Sequence, residues 1–183
     1  MKRYEARLSG SGGQGIILAG IILAEAAGIH EGLQVVQTQS YGPESRGSSC
    51  KSDVVISESA VKYPGVHNLD LLVALTQEAC DKYGRDLKAD GLLIYDPLLV
   101  RKPPVVGKRG YAIAATAIAE EMGRKIAANM VALGAVAALA GVVRPESLEE
   151  AVVARSPHGT GESNREAFRA GLAAAHQAEA SAR

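Results

Sequence analysis

Residues 4–18 read Tyr4-Glu5-Ala6-Arg7-Leu8-Ser9-Gly10-Ser11-Gly12-Gly13-Gln14-Gly15-Ile16-Ile17-Leu18. Tyr4 to Leu8 are predicted as a short strand, Gly10 to Gly15 satisfy G-x-G-x-x-G, and an apolar helix is predicted from Gly13 to Ile29. Strand, glycine turn and helix in that order is the setting in which the motif has physical meaning. The glycines permit a tight turn and close approach of the backbone. Unpaired N–H groups at the helix start, and the positive end of its dipole, then face an anion, commonly a phosphate. The same glycines also suit tight packing of a helix on a sheet, and the motif alone leaves both uses open.

The pattern outward from this stretch alternates. Ile16, Ile17, Leu18, Ile21, Ile22 and Leu23 leave the first helix apolar on nearly all sides, as in a buried helix. Leu33 to Thr38 and Lys51 to Ser57 are predicted strands, separated by a polar, glycine-containing loop. Leu69 to Thr76 (LDLLVALT) is a near-continuous apolar run, expected of a strand covered on both faces of a parallel sheet. A helix over Gln77 to Leu87 leads to a strand over Gly91 to Tyr95, stopped by Asp96-Pro97. Gly110 to Ala114 is a further strand, and Ala115 to Met122, Lys125 to Ala140 and Glu146 to Ala154 are helices. Ser163-Asn164-Arg165-Glu166 fits a capping box opening a last helix to about Ala178. Strands separated by helices predict a single α/β domain over residues 1–183. Its sheet is mostly parallel and flanked by helices, and its C-terminal third is helical and Ala-rich.

Composition narrows the function classes. Aromatics are 4% of the 183 residues, with one Phe and no Trp, so the core is aliphatic. Lys+Arg and Asp+Glu are both 20, which argues against nucleic-acid binding through overall charge. Cys50 and Cys80 form no C-x-x-C pair and no Cys/His cluster. An iron–sulfur or zinc site within this chain is therefore not expected, and both are read as buried small hydrophobes in a reducing cytoplasm. Ile16 to Ala24 does not read as a signal peptide, because a Gly-rich turn separates it from the basic residues and Glu25 follows it. Ile126 to Val143 is uncharged but Ala/Gly-rich and contains Asn129; a buried helix is expected there, not a membrane span.

Two loops carry the candidate chemistry. A NAD site would place Asp or Glu near the end of the second strand, and Gln34-Val35-Val36-Gln37-Thr38 offers none. NADP would want a basic residue, and none precedes Arg46. Beyond that strand, Ser40-Tyr41-Gly42-Pro43-Glu44-Ser45-Arg46-Gly47-Ser48-Ser49 lies where open α/β sheets bind ligands. Arg46 suits a carboxylate or phosphate, and an internal Glu44–Arg46 contact is the plainer alternative. Arg101-Lys102 and Lys108-Arg109 make a small basic cluster, read chiefly as a solvated face. His158 has no triad partner at recognisable spacing, and His30, His67 and His176 make no metal-ligand pattern. P-loop, nucleophile-elbow and thiamine diphosphate signatures are lacking. The residues alone describe a ligand-cradling or interface domain without its own catalytic centre.

Taken together and in order, Gly10 to Gly20, Tyr41 to Gly47 and Ser52 to Ser57 resemble the gamma subunit of 2-oxoacid:ferredoxin oxidoreductases, within the pyruvate/ketoisovalerate oxidoreductase catalytic domain family. The Tyr41-Gly42-Pro43-Glu44-Ser45-Arg46-Gly47 form is most similar to the 2-oxoglutarate branch. Asp70 to Thr76, Tyr95-Asp96, Asn129 to Gly134 and Asn164 to Phe168 fit as well, while Ser48-Ser49-Cys50 departs from the Gly or Ala common in relatives. The resemblance implies a Rossmann-like, non-autonomous subunit of a cytoplasmic heteromeric complex. Partner alpha, beta and ferredoxin-like delta subunits would carry thiamine diphosphate, magnesium and iron–sulfur clusters, with no membrane or nucleic-acid partner. The chain when isolated could pair as a homodimer. Gly10, Ser11, Gly12, Gly13, Gln14 and Gly15 are then expected to meet the diphosphate of coenzyme A. Tyr41, Gly42, Pro43, Glu44, Ser45, Arg46 and Gly47 are expected to line a subunit interface near the active site. No catalytic and no metal-binding residue is assigned. A free-standing nucleotide-binding module, a pyruvate- or indolepyruvate-branch subunit and a small dehydrogenase are the rival expectations.

Overall fold

The computed structural model describes residues 2–41, 49–104 and 109–182. The chain runs β1 (Tyr4–Ser11), α1 (Ile16–Glu25), β2 (Gln34–Tyr41), β3 (Ser49–Ser57), β4 (Leu69–Ala74), α2 (Gln77–Tyr83), β5 (Leu87–Tyr95), β6 (Arg109–Ala112), α3 (Ala115–Glu121), α4 (Ala128–Leu139), α5 (Pro145–Arg155) and α6 (Gly161–Ser181). The strands form one sheet in the order β2-β3-β1-β4-β5-β6. β1, β4, β5 and β6 are mutually parallel, while β3 is antiparallel to both β1 and β2. The sheet is thus mixed, with β3 the one reversed strand. A short connection from β2 to β3 can return the chain only as an antiparallel neighbour, whereas the helical crossovers make parallel ones.

Alternation along each strand divides the apolar residues between two cores. Ala6, Leu8, Leu71, Val73, Leu92 and Ile94 face a large cluster shared with α1, α4, α5 and α6. Val55, Leu69, Leu72, Ala74 and Leu93 face a smaller cluster that includes Ala79, Cys80 and Tyr83 of α2. β4 is therefore buried on both faces, as its sequence predicts. Burying one such aliphatic side chain contributes about 1.5–3 kcal/mol.

Close approach is written into particular glycines. A Cβ on Gly20 of α1 would stand 2.0 Å from Ser52 Oγ of β3. Gly134 of α4 and Gly171 of α6 face each other's backbones: a Cβ on either would lie 1.9 Å from a carbonyl oxygen, of Phe168 and Val131 respectively. Within the 126–143 segment the buried helix is α4, Ala128–Leu139, while Ile126 lies in a preceding 3-10 turn and is exposed; among the described residues no helix is long and apolar enough to cross a membrane.

Several boundaries differ from the sequence expectation. α1 starts at Ile16, not Gly13, and ends in a five-residue π-helical turn, Ala26–His30. A 3-10 turn, Gly84–Asp86, ends α2 early, and β5 begins at Leu87. The capping-box expectation at Ser163 fails. α6 begins at Gly161 with Thr160 as its N-cap, and Ser163 Oγ donates back to Thr160 O at 3.0 Å while Arg124 donates to it. Tertiary contact with Arg124 has taken the hydroxyl that the local rule assigned to the helix end.

Candidate functional site

The carboxyl ends of β1, β4, β5 and β6 meet at one edge of the sheet, the edge at which open α/β folds bind ligands. The glycine loop turns there from β1 into α1. Gly13 has φ +93° and Gly15, the N-cap of α1, has φ +69°, so both occupy the left-handed region that favours glycine. Their surroundings differ. Gly13 has open space where a Cβ would be, whereas a Cβ on Gly15 would stand 2.3 Å from Asn129 Nδ2, which donates to Gly15 O at 3.2 Å. Gly12 and Gly13 are exposed.

Gln14 folds back into the loop. Its Oε1 accepts the Ser11 N–H at 2.7 Å, and its Nε2 donates to Leu75 O at 3.1 Å. A Cβ on Gly10 would lie 2.3 Å from that Oε1. The two uses of the motif left open by the sequence are therefore divided within it. Gly10 and Gly15 make room for neighbouring side chains, and Gly12 and Gly13 present backbone to solvent.

Beside this exposed backbone lies a cleft of about 510 Å³, lined by Ser11, Gly13, Gln14, Leu98, Leu99, Thr116, Lys125, Ile126 and Ala128. Its size is that of a small-molecule subsite. Asp96, fully buried behind it, accepts from Leu98 N at 2.9 Å and Thr116 N at 2.7 Å, which ties the turn after β5 to the first turn of α3. Lys125 brings a cation to the rim, where it pairs with Glu120 at 2.8 Å. Leu98 and Ile126 are 44% and 73% exposed, leaving the rim apolar. A second cleft of about 300 Å³ continues past Gly13 and Gly15 to Arg124, Asn129 and Asn164.

The other expected residues are placed as follows. Tyr41 ends β2 and is 66% exposed, while Gly42, Pro43, Glu44, Ser45, Arg46 and Gly47 lie outside the described residues. Arg101 and Lys102 are exposed, and their backbone N–H groups are both accepted by Gln77 Oε1 at 2.9 Å. His158 and His176 are exposed, His30 pairs with Glu150, and His67 stacks on Tyr63. Among the described residues no group of three His, Cys, Asp or Glu could hold a metal. The thiols do not fit a cluster: Cys50 belongs to the core on one sheet face and Cys80 to the core on the other. Burial, reinforced by Asp81, pushes the Cys80 thiol up to about 11, and burial also raises Cys50, so neither supplies a thiolate at neutral pH.

Sequence reasoning grouped Gln14 with the expected diphosphate-binding loop but did not anticipate the contacts within the chain that Gln14, Asn129 and Arg7 make. Gln14 occupies a variable position of the motif, and its partner Leu75 is 61 residues away. Asn129 had a visible signal, a lone amide in an apolar run. Arg7, between Ala6 and Leu8 on β1, had none as an ion-pair centre. It makes a two-pronged pair with Asp53, 2.6 Å and 2.9 Å, lies 3.1 Å from Asp86, and stacks 4.5 Å from the Tyr83 ring.

The chain matches the family model of pyruvate ferredoxin/flavodoxin oxidoreductase over residues 5–174. It belongs to that family. Among oxidoreductases of this family, the 2-oxoglutarate synthase subunit KorC of Methanocaldococcus jannaschii is 48% identical over 178 residues, covering 96% of this chain and 95% of that protein. The crystal structure of a keto/oxoacid ferredoxin oxidoreductase gamma subunit from Geobacter sulfurreducens PCA has a TM-score of 0.89 at 50% identity, over 97% of this chain and 99% of that one. The 2-oxoglutarate:ferredoxin oxidoreductase of Magnetococcus marinus, solved with 2-oxoglutarate, coenzyme A and succinyl-CoA bound, has a TM-score of 0.77 at 26% identity. It covers all of this chain and 31% of that one. The family expected from the ordered motifs is the family found.

Proposed function

We propose that this chain is the gamma subunit of a 2-oxoglutarate:ferredoxin oxidoreductase. The observation that carries the proposal is the end-to-end match to KorC, 48% identical across 96% of this chain. The reaction converts 2-oxoglutarate, coenzyme A and two oxidised ferredoxins into succinyl-CoA, carbon dioxide, a proton and two reduced ferredoxins. Thiamine diphosphate supplies the decarboxylation chemistry and iron–sulfur clusters carry the electrons. Both sit with magnesium on the alpha, beta and ferredoxin-like delta subunits, in the cytoplasm. The two buried, separated cysteines of this chain support that division.

Within the complex, the exposed Gly12–Gly13 backbone, the start of α1 and Lys125 receive the diphosphate of coenzyme A. An anion at a helix start gains from unpaired N–H groups and the helix dipole. The adjoining cleft of about 510 Å³ offers apolar walls at Leu98 and Ile126 for the rest of the molecule. The segment from Tyr41 to Gly47 lines the interface with a catalytic subunit. Anaerobic capture of the tagged chain from its host, with mass spectrometry, tests the assignment. Recovery of thiamine- and cluster-binding subunits, with dye reduction dependent on both 2-oxoglutarate and coenzyme A, is the expected result. Recovery of the chain alone without that activity overturns it in favour of a free-standing nucleotide-binding module.

A further inference from the structure

The β1–β4 ladder ends in an unusual way at the candidate site. The strands are parallel, with Ser9 opposite Ala74, and Leu75 N donates to Ser9 O at 2.9 Å. In an evenly spaced parallel ladder the next rung would run from Ser11 N to Leu75 O. Both of those groups instead bond the carboxamide of Gln14, Ser11 N to its Oε1 at 2.7 Å and Leu75 O to its Nε2 at 3.1 Å. A carboxamide presents an acceptor and a donor in one plane, as a peptide group does. It completes the ladder while holding the two strand ends one amide further apart. Gly10 makes this possible, because a Cβ there would stand 2.3 Å from Oε1. The Gln14 N–H also closes the turn on Ser11 O at 3.2 Å.

We propose that Gln14 is a positioning residue, a splint that spreads the ends of β1 and β4 and so presents Gly12 and Gly13 to the cleft. The functional consequence rests on the coenzyme A reading given above. Glutamine is specifically required. Glutamate is acceptor-only when ionised and cannot donate to Leu75 O, and methionine can do neither. Gly10→Ala reaches the same defect by another route: its methyl displaces the Gln14 carboxamide tip, and it also presses on the Ile16 side chain at 3.1 Å.

The test uses the complex reconstituted from all its subunits, with coenzyme A as the probe. Gln14→Met and Gly10→Ala are each expected to raise KM for coenzyme A about tenfold, with kcat at saturating coenzyme A and KM for 2-oxoglutarate nearly unchanged, the pattern of lost ground-state binding. Amide exchange at Ser11 is expected to be slow in the wild type and faster in Gln14→Met. If Gly12→Val raises the coenzyme A KM but neither splint variant does, the splint is overturned and the coenzyme A reading survives. If Gly12→Val is silent while Ser11 exchange behaves as expected, the geometry stands and the coenzyme A reading, with the splint's role in it, falls. A freely exchanging Ser11 amide in the wild type overturns the splint whatever the variants do.

Discussion

Gly12 and Gly15 stand three positions apart in one motif and answer to different forces. Gly12→Val falls at an exposed position whose φ lies outside the left-handed region, so the substituted backbone is unstrained. It is expected to weaken coenzyme A use in the complex while moving unfolding stability by no more than about 0.5 kcal/mol. Gly15→Ala meets both a positive φ and Asn129, and is expected to destabilise by about 2 kcal/mol in denaturant unfolding. At the other face of β1, Arg7 and Asp53 have side chains only 5% and 8% exposed. Asp53→Ala would leave a buried guanidinium short of its main partner and is expected to cost about 3–5 kcal/mol, read by the same unfolding measurement. Replacing both residues by apolar ones of similar size is expected to recover much of that loss. None of these environments is visible locally in sequence: Asn129 is 114 positions from Gly15, and Asp53 is 46 from Arg7.

Helices meet here through glycine and through caps supplied from elsewhere. Gly134→Ala would force α4 away from the α6 backbone, which no rotamer change can relieve. The expected loss is about 3 kcal/mol, or about 6–12 °C in Tm by calorimetry. α5 is held by Glu31, whose Oε1 accepts from Ser147 Oγ at 2.5 Å and from Arg144 N and Nε at 3.1 Å and 2.9 Å. The Ser147 and Arg144 hydrogen bonds lower the Glu31 carboxyl to about 2. A carboxyl depressed in the folded state stabilises fully above its unfolded value near 4.3, and that contribution is lost as pH falls towards about 2. Unfolding free energy measured against pH is expected to fall across that window, and Glu31→Gln is expected to flatten it while lowering stability at pH 7. The helix periods were legible in sequence, but these attachments were not, because each cap donor or acceptor lies in another element.

Across the whole molecule, the sheet separates two cores and brings the carboxyl ends of its parallel strands to one edge. Among the described residues, that edge carries a cleft, a glycine turn and the Lys125–Glu120 ion pair. The isolated chain, purified anaerobically, is expected to show no cluster absorbance and no 2-oxoglutarate-dependent dye reduction. Both are expected to return on reconstitution with the other subunits. Activity from the chain alone would contradict the proposed division of labour.

Alternating apolar strands and amphipathic or buried helices settle the α/β class from the amino-acid string, because side-chain periodicity is a local property of the backbone. The order of Gly10 to Gly15, Tyr41 to Gly47 and Ser52 to Ser57 was likewise enough for the family. Strand order, the reversal of β3, the separation of Cys50 from Cys80 and the placement of Gln14 between Ser11 and Leu75 were decided only in three dimensions. Each depends on partners tens of residues apart in the chain, and no local pattern records which of many chemically equivalent groups will meet.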